Sequence, residues 1–363
     1  MLLLTPKDHF GLLSFAEGVE RIRAGYEEEA SASVKLSNPR TRTNTPEGFR
    51  MVVHQGVTPS HGGAATGIRA EKVQIQENGI QKYIGRGRPV FVLYDTETAE
   101  LLMIMIGEPK PQGYEDVHAM AGFQTACCAA YGTTLVASPN ASRVGVLGSG
   151  GQARLHLGAL ASSREIDSVV VYSPNKDHRE NFASEMGRLL DLEITAVDST
   201  EAVIQNSDLL LVCTNSNVPV LDGKQLKDGT HVTSIVSSNK ELLQAGLVKK
   251  MRQEVDDETL RRAGLIVTTS KEQEELDQPE VLWGAAKRGV FSWDKVASVA
   301  DVLSKRELLS SAHANNQITF FKNAGGWGIG AGALFRGYYD NACKAGVGTI
   351  VDDLEGFEVT YGF

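Results

Sequence analysis

The sequence predicts an α/β fold built on a doubly wound parallel sheet. Two observations support this: alternating apolar and helical segments, and a glycine-rich turn, GSGGQA, directly after the first apolar run. The apolar runs lie at 143–148, 168–172, 194–197, 208–213, 231–236 and 264–269. This alternation is typical of parallel strands joined by crossover helices. A chain of 363 residues has room for about two domains.

The segments on either side of this region predict different elements. Apolar side chains recur at helical spacing over residues 12–30, so we expect an amphipathic helix there. Residues 37–66 are rich in Pro, Gly, Thr, Arg and Asn, which is typical of loops between short strands. The runs at 90–95 and 101–106 predict a hairpin, and the small residues of 117–136 predict a tightly packed helix. From about residue 315 the sequence predicts a long helical segment, rich in glycine and aromatic residues, that ends near Gly346.

Composition excludes several classes of protein. The formal net charge of -9 makes non-specific nucleic-acid binding unexpected. There is no run of about 20 apolar residues, so we expect no membrane-spanning helix. Four scattered cysteines are too few for a disulfide framework and favour a reducing, cytoplasmic compartment. The eight histidines lack metal-ligand spacing, so we expect no metal site.

The glycine-rich turn has the spacing G-x-G-x-x-A, between a buried strand and a helix. Gly148 would permit the tight turn, Gly150 would let the backbone approach a pyrophosphate, and Ala153 would keep helix and strand close. The free amides at the start of the helix would then bind phosphate. The sequence therefore predicts a dinucleotide site formed by Gly148, Ser149, Gly150, Gly151, Gln152 and Ala153.

The end of the second strand bears on the choice between NAD and NADP. An NAD site usually has an acid at this tip, whereas this chain continues with SPNK at 173–176. Ser173 and Asn175 could donate to a 2′-phosphate, and Lys176, His178 or Arg179 could neutralise it. Asp177 argues the other way, and the basic residues could instead form a solvated face. We favour NADP(H), with NAD(H) as the alternative.

Several segments resemble the ornithine cyclodeaminase/mu-crystallin family. They are RVGVLGSGGQAR at 143–154, PVLDG at 219–223, LKDGTHV at 226–232 and QITFFKNAG at 317–325. The resemblance implies a Rossmann domain, residues 126–314, inserted into an α+β domain formed by residues 1–125 and 315–363. That second domain would bind substrate and form a homodimer. Family members move a hydride between a nicotinamide and an amine or imine carbon.

The resemblance also carries over cofactor positions. Gly151 and Gln152 match the phosphate turn, and Ser173 matches the tip of the second strand. Thr214, with the neighbouring Asn215, matches a cofactor contact after the fourth strand. Asn323 matches a polar contact beside the nicotinamide.

The substrate positions of the family match less closely. Arg40, or alternatively Arg42, corresponds to a basic residue that holds the substrate carboxylate. Arg69 stands where many members have Lys, which keeps the charge and adds a bidentate fork. Gln124 stands where members usually have Arg. It can hydrogen-bond the substrate but supplies no charge.

Cyclodeaminases of the family use an acid after the fifth strand to handle the amine proton. The matching position here is Ser238, whose hydroxyl is a poor general base. An apparent insertion follows, from about residue 240 to 249, so Asp256 or Asp257 could be the misplaced acid. Ser238 or Asn239 would otherwise contact the amine, directly or through a water.

These features together predict an NAD(P)-dependent oxidoreductase acting on the C–N bond of a small, carboxylate-bearing amino acid, amine or imine. One alternative is a cyclodeaminase-like lyase that recycles NAD internally and releases ammonia. A second is a crystallin-like protein that binds NADPH without turnover. The missing acid at Ser238 argues against the first and is compatible with the second.

Overall fold

The computed structural model describes residues 1–75, 81–117, 119, 122–246, 248–324 and 328–351. Its strands are, in chain order, β1 (Leu2–Leu4), β2 (Ser37–Asn44), β3 (Phe49–Thr58), β4 (Gly63–Ile75), β5 (Gln81–Arg86), β6 (Val90–Tyr94), β7 (Leu101–Ile106), β8 (Arg143–Leu147), β9 (Ser168–Tyr172), β10 (Ile194–Ala196), β11 (Leu209–Val212), β12 (His231–Ser234), β13 (Ala263–Thr268), β14 (Val296–Ser298), β15 (Ile318–Lys322) and β16 (Thr349–Ile350).

The α-helices lie between these strands in the chain. They are α1 (Pro6–His9), α2 (Phe15–Ser31), α3 (Gly122–Val136), α4 (Gly151–Ala161), α5 (Lys176–Leu190), α6 (Thr200–Gln205), α7 (Lys240–Gln244), α8 (Asp257–Arg262), α9 (Lys271–Asp277), α10 (Ala285–Lys287), α11 (Val299–Ser304), α12 (Glu307–Ala314) and α13 (Ala331–Ala345). None of the helices in the described residues is long and apolar enough to cross a membrane.

The predicted parallel sheet is present and contains all six apolar runs. Its strand order is β10-β9-β8-β11-β12-β15-β13-β14, and every pairing is parallel. Alternate residues of β11 enter two separate cores, Leu209 and Leu211 on one face and Leu210 and Val212 on the other. The sheet is therefore covered on both faces, as the prediction of a doubly wound fold requires.

One strand of this sheet lies beyond the region in which the sequence predicts it. β15, at Ile318–Lys322, fills the position between β12 and β13. The chain after residue 314 therefore contributes an interior strand to the parallel sheet before α13 begins. The parallel sheet thus includes residues beyond the predicted domain boundary at 314. The last part of the predicted second domain, beyond residue 351, lies outside the described residues.

A second sheet is mainly antiparallel and has the order β16-β1-β7-β6-β4-β3-β2, with β5 paired to β4. The predicted hairpin is confirmed as β6 and β7. The prediction of loops over residues 37–66 is wrong, because most of this segment forms the long strands β2, β3 and β4. Their polar residues alternate with apolar ones, and cross-strand pairing decides their conformation despite the turn-forming composition.

Helix α13 packs against this second sheet, and α2 packs against α13. Small residues allow unusually close approaches: a β-carbon on Gly56 would lie 1.8 Å from the carbonyl oxygen of Gly328. A β-carbon on Gly25 would lie 2.2 Å from the Cα of Gly330. These contacts cover one end of the inward sheet face. The other end faces the parallel sheet, and the polar residues described below lie there.

Candidate active site

The turn after β8 adopts the conformation that the glycine pattern predicts. Gly148 has a φ of 109°, in the region that favours glycine, and a β-carbon there would lie 2.4 Å from the carbonyl oxygen of Cys213. Its backbone N–H donates to the carbonyl of Tyr172 at 2.9 Å. The turn is thus held between β9 and β11, at the carboxyl edge where the strand order reverses. Open α/β sheets bind their ligands at such a switch point.

Gly150 is the N-cap of α4 and faces open space. A β-carbon built on it meets no atom within 4 Å, whereas Ala153, one turn into the helix, is completely buried. Gly151 and Gln152 are the first residues of α4, so their amides lie at the positive end of an 11-residue helix. This cradle fits the pyrophosphate of a dinucleotide.

The end of β9 presents a small polar cluster beside this cradle. The Ser149 hydroxyl donates to the Ser173 hydroxyl at 2.8 Å, and the Asn175 side chain caps α5. Arg179 is buried; it donates to the Ser173 carbonyl at 3.1 Å and forms an ion pair with Asp198. Ser173 therefore lies directly beside the phosphate turn, whereas Arg179 already has an acidic partner.

Glu254, which the sequence reasoning missed, holds the ends of β11 and β12 together. Its completely buried carboxylate accepts from the N–H and hydroxyl of Thr214 at 2.9 and 3.0 Å and from the Ser234 hydroxyl at 2.8 Å. The N–H groups of Ile235 and Val236 also donate to it, each at 2.9 Å. Burial raises the pKa of Glu254, and the hydrogen bond from Thr214 opposes this rise. The carboxylate thereby fixes the loop that carries Thr214 and the exposed Asn215.

The loop after β12 contains no acid, and its last two residues, Ser238 and Asn239, are buried. Ser238 accepts from the N–H of Lys240 at 3.2 Å, and the Asn239 side chain accepts from the N–H of Arg252 at 3.0 Å. Both residues are 5% exposed. They fix the start of α7, which the apparent insertion forms.

The two aspartates considered as alternatives to Ser238 have structural roles instead. Asp256 caps α8 and accepts from the N–H of Gly223. Asp257 forms an ion pair with Arg288 at 2.6 Å.

Asn323, which follows β15, is bonded to the helix α3 that carries Gln124. The Asn323 amide donates to the carbonyl of Thr125 at 2.9 Å, and its N–H donates to the Ser234 carbonyl. Gln124 is 2% exposed, and neither its amide oxygen nor its amide nitrogen has a hydrogen-bond partner in the described part of the chain. Because a buried amide without partners is costly, we interpret Gln124 as a ligand-facing group.

Four buried or largely buried arginines, here named the arginine face, lie on the inward side of β2, β3 and β4. They are Arg40, Arg42, Arg50 and Arg69. Sequence reasoning singled out Arg40, Arg42 and Arg69 but missed Arg50. Its alternation with Val52 and His54 is a period-two signal that could have revealed it.

Several acids face these arginines. Asp277 of α9 lies 2.6 Å from Arg40 Nη2 and forms a bidentate pair with Arg42. Glu71 of β4 lies 3.0 Å from Arg69 Nε and 3.9 Å from Arg50. Glu241 of α7 is more loosely placed, 3.5 Å from Arg50 and 3.8 Å from Arg42. Through Asp277 and Glu241, the arginines thus link the antiparallel sheet to helices α9 and α7, which follow strands of the parallel sheet.

Burial and neighbouring charges shift the ionisation of this cluster. Burial, with the charge of Arg42, lowers the pKa of Arg40 to about 10, and burial also lowers the pKa of Arg69. Burial alone would raise the pKa of Asp277, but Arg40 and Arg42 outweigh it and hold the pKa below its ordinary value. With a pKa of about 10, Arg40 remains cationic at neutral pH, and a cation in this position favours an anionic ligand.

A cavity of about 420 Å³ lies beside this cluster, between the end of α2 and the loops after β13 and β14. Pro39 and Gln273 line it, but none of the four arginines does. Gln273 also accepts from the Arg40 N–H at 2.6 Å. The cavity therefore adjoins the arginine face without containing it, and we assign no ligand to it.

Comparison with known proteins places this geometry in a family. The model of the ornithine cyclodeaminase/mu-crystallin family matches residues 11–343. The Delta(1)-pyrroline-2-carboxylate reductase of Bacillus cereus is 22% identical over 358 residues, covering 97% of this chain and 100% of that protein.

Solved structures agree at the level of fold. The Thermococcus litoralis Delta(1)-pyrroline-2-carboxylate reductase, in complex with NADH and L-proline, superposes with a TM-score of 0.76 at 24% identity, covering 97% of this chain and 100% of that one. The iminosuccinate reductase of Paracoccus denitrificans, in complex with NAD+, gives a TM-score of 0.75 at 18% identity, covering 96% and 98%.

Proposed function

Because the chain belongs to the ornithine cyclodeaminase/mu-crystallin family, we propose that it is an NAD(P)-dependent oxidoreductase acting on the C–N bond of a small amino acid, amine or imine. One observation carries the proposal. The arginine face is held against α9, which begins three residues after β13 ends and so lies at the same edge of the sheet as the phosphate turn. We infer that a carboxylate site and a dinucleotide site both lie along this edge of the parallel sheet.

Each part of the site has a proposed role. Residues 148–153 hold the pyrophosphate, and Ser173 contacts the adenosine ribose. Thr214, Asn215 and Asn323 flank the nicotinamide half, which supplies or accepts a hydride when the cofactor is bound. The chain's own contribution is placement: it holds the substrate at the cofactor and excludes water from the buried site.

For the substrate, Arg69 and Arg40 hold the carboxylate and Gln124 donates or accepts a hydrogen bond. Arg69 has the bidentate fork that suits a carboxylate. Ser238 takes the place of the cyclodeaminase acid, which favours a reductase over an ammonia-releasing lyase. The names of the relatives support a cyclic imino acid of the pyrroline-2-carboxylate kind as the first substrate to try.

We further propose that NADP(H) is preferred over NAD(H). The support is the tip of β9, where Ser173 and a capping Asn175 stand in place of an acid. The Arg179–Asp198 pair weakens this preference, because the arginine charge is already balanced. Asp198 itself is exposed and could be released from Arg179 when a 2′-phosphate binds.

Two wider proposals concern assembly and location. The outer face of the antiparallel sheet exposes large apolar side chains, Phe49, Met51, Val57, Ile68 and Tyr94, which supports a homodimer through this face. All four cysteines are free thiols, and three are buried, which suits a reducing cytoplasm.

The deciding experiment follows nicotinamide absorbance with the purified protein. Delta(1)-pyrroline-2-carboxylate, and separately pyruvate with ammonia, would be tested with NADPH and with NADH; L-proline would be tested with the oxidised cofactors. Net cofactor turnover is the expected result, and the preferred cofactor tests the Ser173 argument. Ammonia release from L-ornithine without net cofactor change would instead indicate a cyclodeaminase. NADPH binding without turnover of any of these substrates would indicate a crystallin-like binding protein.

A further inference from the structure

Ser238 stands where the family pattern predicts an acid, and another acid, Glu241, lies three residues further along the chain. Ser238 and Asn239 anchor the start of α7, and Glu241 is the second residue of that helix. Its carboxylate reaches the arginine face, 3.5 Å from Arg50 Nη2 and 3.8 Å from Arg42 Nη1. The helix formed by the apparent insertion thus brings an acid to the site that the family pattern leaves without one.

Glu241 lies farther from its arginine partners than Asp277 and Glu71 do, and its side chain is more exposed. Its side chain is 19% exposed, against 7% for Asp277 and 2% for Glu71. Asp277 accepts three hydrogen bonds from guanidinium groups, whereas Glu241 accepts one at the 3.5 Å limit from Arg50 and lies too far from Arg42 for another. An ionised carboxylate can accept about four hydrogen bonds. Glu241 therefore retains capacity for a ligand.

Another acid nearby, Glu274, is less suited to contact a substrate. It is 1% exposed and accepts from the Thr268 hydroxyl at 3.3 Å inside the protein. The buried Lys322 lies close enough to influence its ionisation. Glu274 is therefore enclosed by the protein, whereas part of the Glu241 side chain is exposed beside the arginine face.

We propose that Glu241 binds the nitrogen of the substrate while the arginine face holds its carboxylate. In an α-amino or α-imino acid the nitrogen and the carboxylate are attached to the same carbon, so an acid close to the arginines can reach the nitrogen. A carboxylate there accepts a charge-assisted hydrogen bond from an ammonium or iminium N–H and keeps the proton on nitrogen. This inference rests on the proposed function and specifies how that site recognises its substrate.

The test uses two probes that differ at the ring heteroatom: L-proline, with a charged nitrogen, and tetrahydrofuran-2-carboxylate, with an oxygen. Calorimetric titration of the protein carrying saturating oxidised cofactor measures both affinities. We expect Glu241→Gln to weaken L-proline binding at least tenfold and to change binding of the oxygen analogue less than twofold. Glu241→Asp, which keeps the charge on a shorter side chain, should recover part of the lost affinity.

The matched control is Glu272→Gln, which removes an exposed ion pair between α9 and Lys35 and touches none of the arginines. It should change neither affinity, and equal melting temperatures would show that the variants fold. Equal weakening of both probes, or no weakening of L-proline, would overturn the inference. Tighter binding of both probes to Glu241→Gln would also overturn it, because Glu241 would then be a competitor for the arginines. A wild-type protein that binds neither probe would overturn the proposed substrate class, and this inference with it.

Discussion

The carboxylate of Asp277 lies 2.6 Å from the guanidinium of Arg40, and this pair joins a helix of the parallel-sheet domain to a strand of the antiparallel sheet. Arg42 binds the same carboxylate, and all three side chains are at most 7% exposed. Such an arrangement is stable only while every charge keeps its partner. The two sheets are therefore fixed relative to each other at the place where a substrate carboxylate would enter.

Replacing Asp277 by Asn should destabilise the protein strongly. The change leaves two buried guanidinium groups without their shared acid, which typically costs about 3–5 kcal/mol of unfolding free energy. Urea unfolding followed by circular dichroism measures the loss. Asp257→Asn, which breaks an exposed pair with Arg288, should cost about 1 kcal/mol or less. Equal losses in the two variants would show that burial of the Asp277 cluster contributes nothing.

Replacing Arg69 by Ala should weaken substrate capture more than turnover. A charged hydrogen bond is worth about 1.5–3 kcal/mol, so we expect KM to rise about 10- to 100-fold with a smaller change in kcat. Arg69→Lys should fall between the wild type and Arg69→Ala, because Lys keeps the charge but not the bidentate fork. Arg143→Ala serves as the control, because Arg143 begins β8 and so lies at the end of that strand opposite the phosphate turn. Unchanged kinetics in Arg69→Ala would remove Arg69 from the carboxylate site.

The two glycines of the phosphate turn should respond differently to alanine. Gly148→Ala should impair folding, because its φ is 109° and the new β-carbon would clash with the Cys213 carbonyl. Gly150→Ala should fold normally, since its β-carbon would meet no protein atom within 4 Å. It should nevertheless weaken NADPH binding at least tenfold, because the methyl group would occupy the space in which we propose that the pyrophosphate binds. Melting curves and fluorescence titration separate the two effects, and unimpaired NADPH binding by Gly150→Ala would place the dinucleotide elsewhere.

Much of the fold follows from the sequence because short-range patterns determine it. The strand β8, the turn at Gly148 and the helix α4 each have a local signal, and all three agree with the structure. The long strands β2, β3 and β4 were missed because their Gly, Pro and Asn content is typical of turns. Cross-strand pairing, which no local pattern reveals, stabilises them.

The site is less predictable because it is assembled from distant segments. Arg40 and Arg69 could be identified from their neighbours in sequence, but their partners Asp277 and Glu71 could not. Glu254 also gave no signal, since its role depends on five donors from β11, β12 and the loops that follow them. Charge pairing between distant segments is a property of the packed structure, and composition and spacing do not encode it directly.

Stability should fall as the pH is lowered below about 6.5, in part because of His156. This residue is 1% exposed, its Nδ1 bonds the Gln152 carbonyl at 2.7 Å, and its Nε2 has no partner in the described residues. Burial lowers the pKa of His156 from 6.5 to about 4, so the unfolded chain takes up the proton first as the pH falls. The stabilisation is thus complete above pH 6.5 and is lost as the pH falls towards 4, an effect of about 3 kcal/mol.

Unfolding free energies of the wild type and of His156→Gln, measured from pH 8 to pH 4, test this account. The dependence on pH should be shallower for the variant, even if its stability at pH 8 is lower. His178→Gln, at an exposed position on α5, should keep the wild-type slope. Parallel curves for wild type and His156→Gln would show that another group, such as the buried His231, dominates the acid sensitivity.

Ile68→Asp should convert a dimer into a monomer. Ile68 is 40% exposed on the outer face of the antiparallel sheet, where Val53 is its neighbour on β3 and Val90 on β6. A charge placed in the centre of an apolar interface would be desolvated without a partner, which disfavours association. Light scattering coupled to size exclusion should show a dimer for the wild type and a monomer for the variant. Val218→Asp, at a 52% exposed position in the other domain, should remain dimeric, and a wild-type monomer at all concentrations would reject this interface.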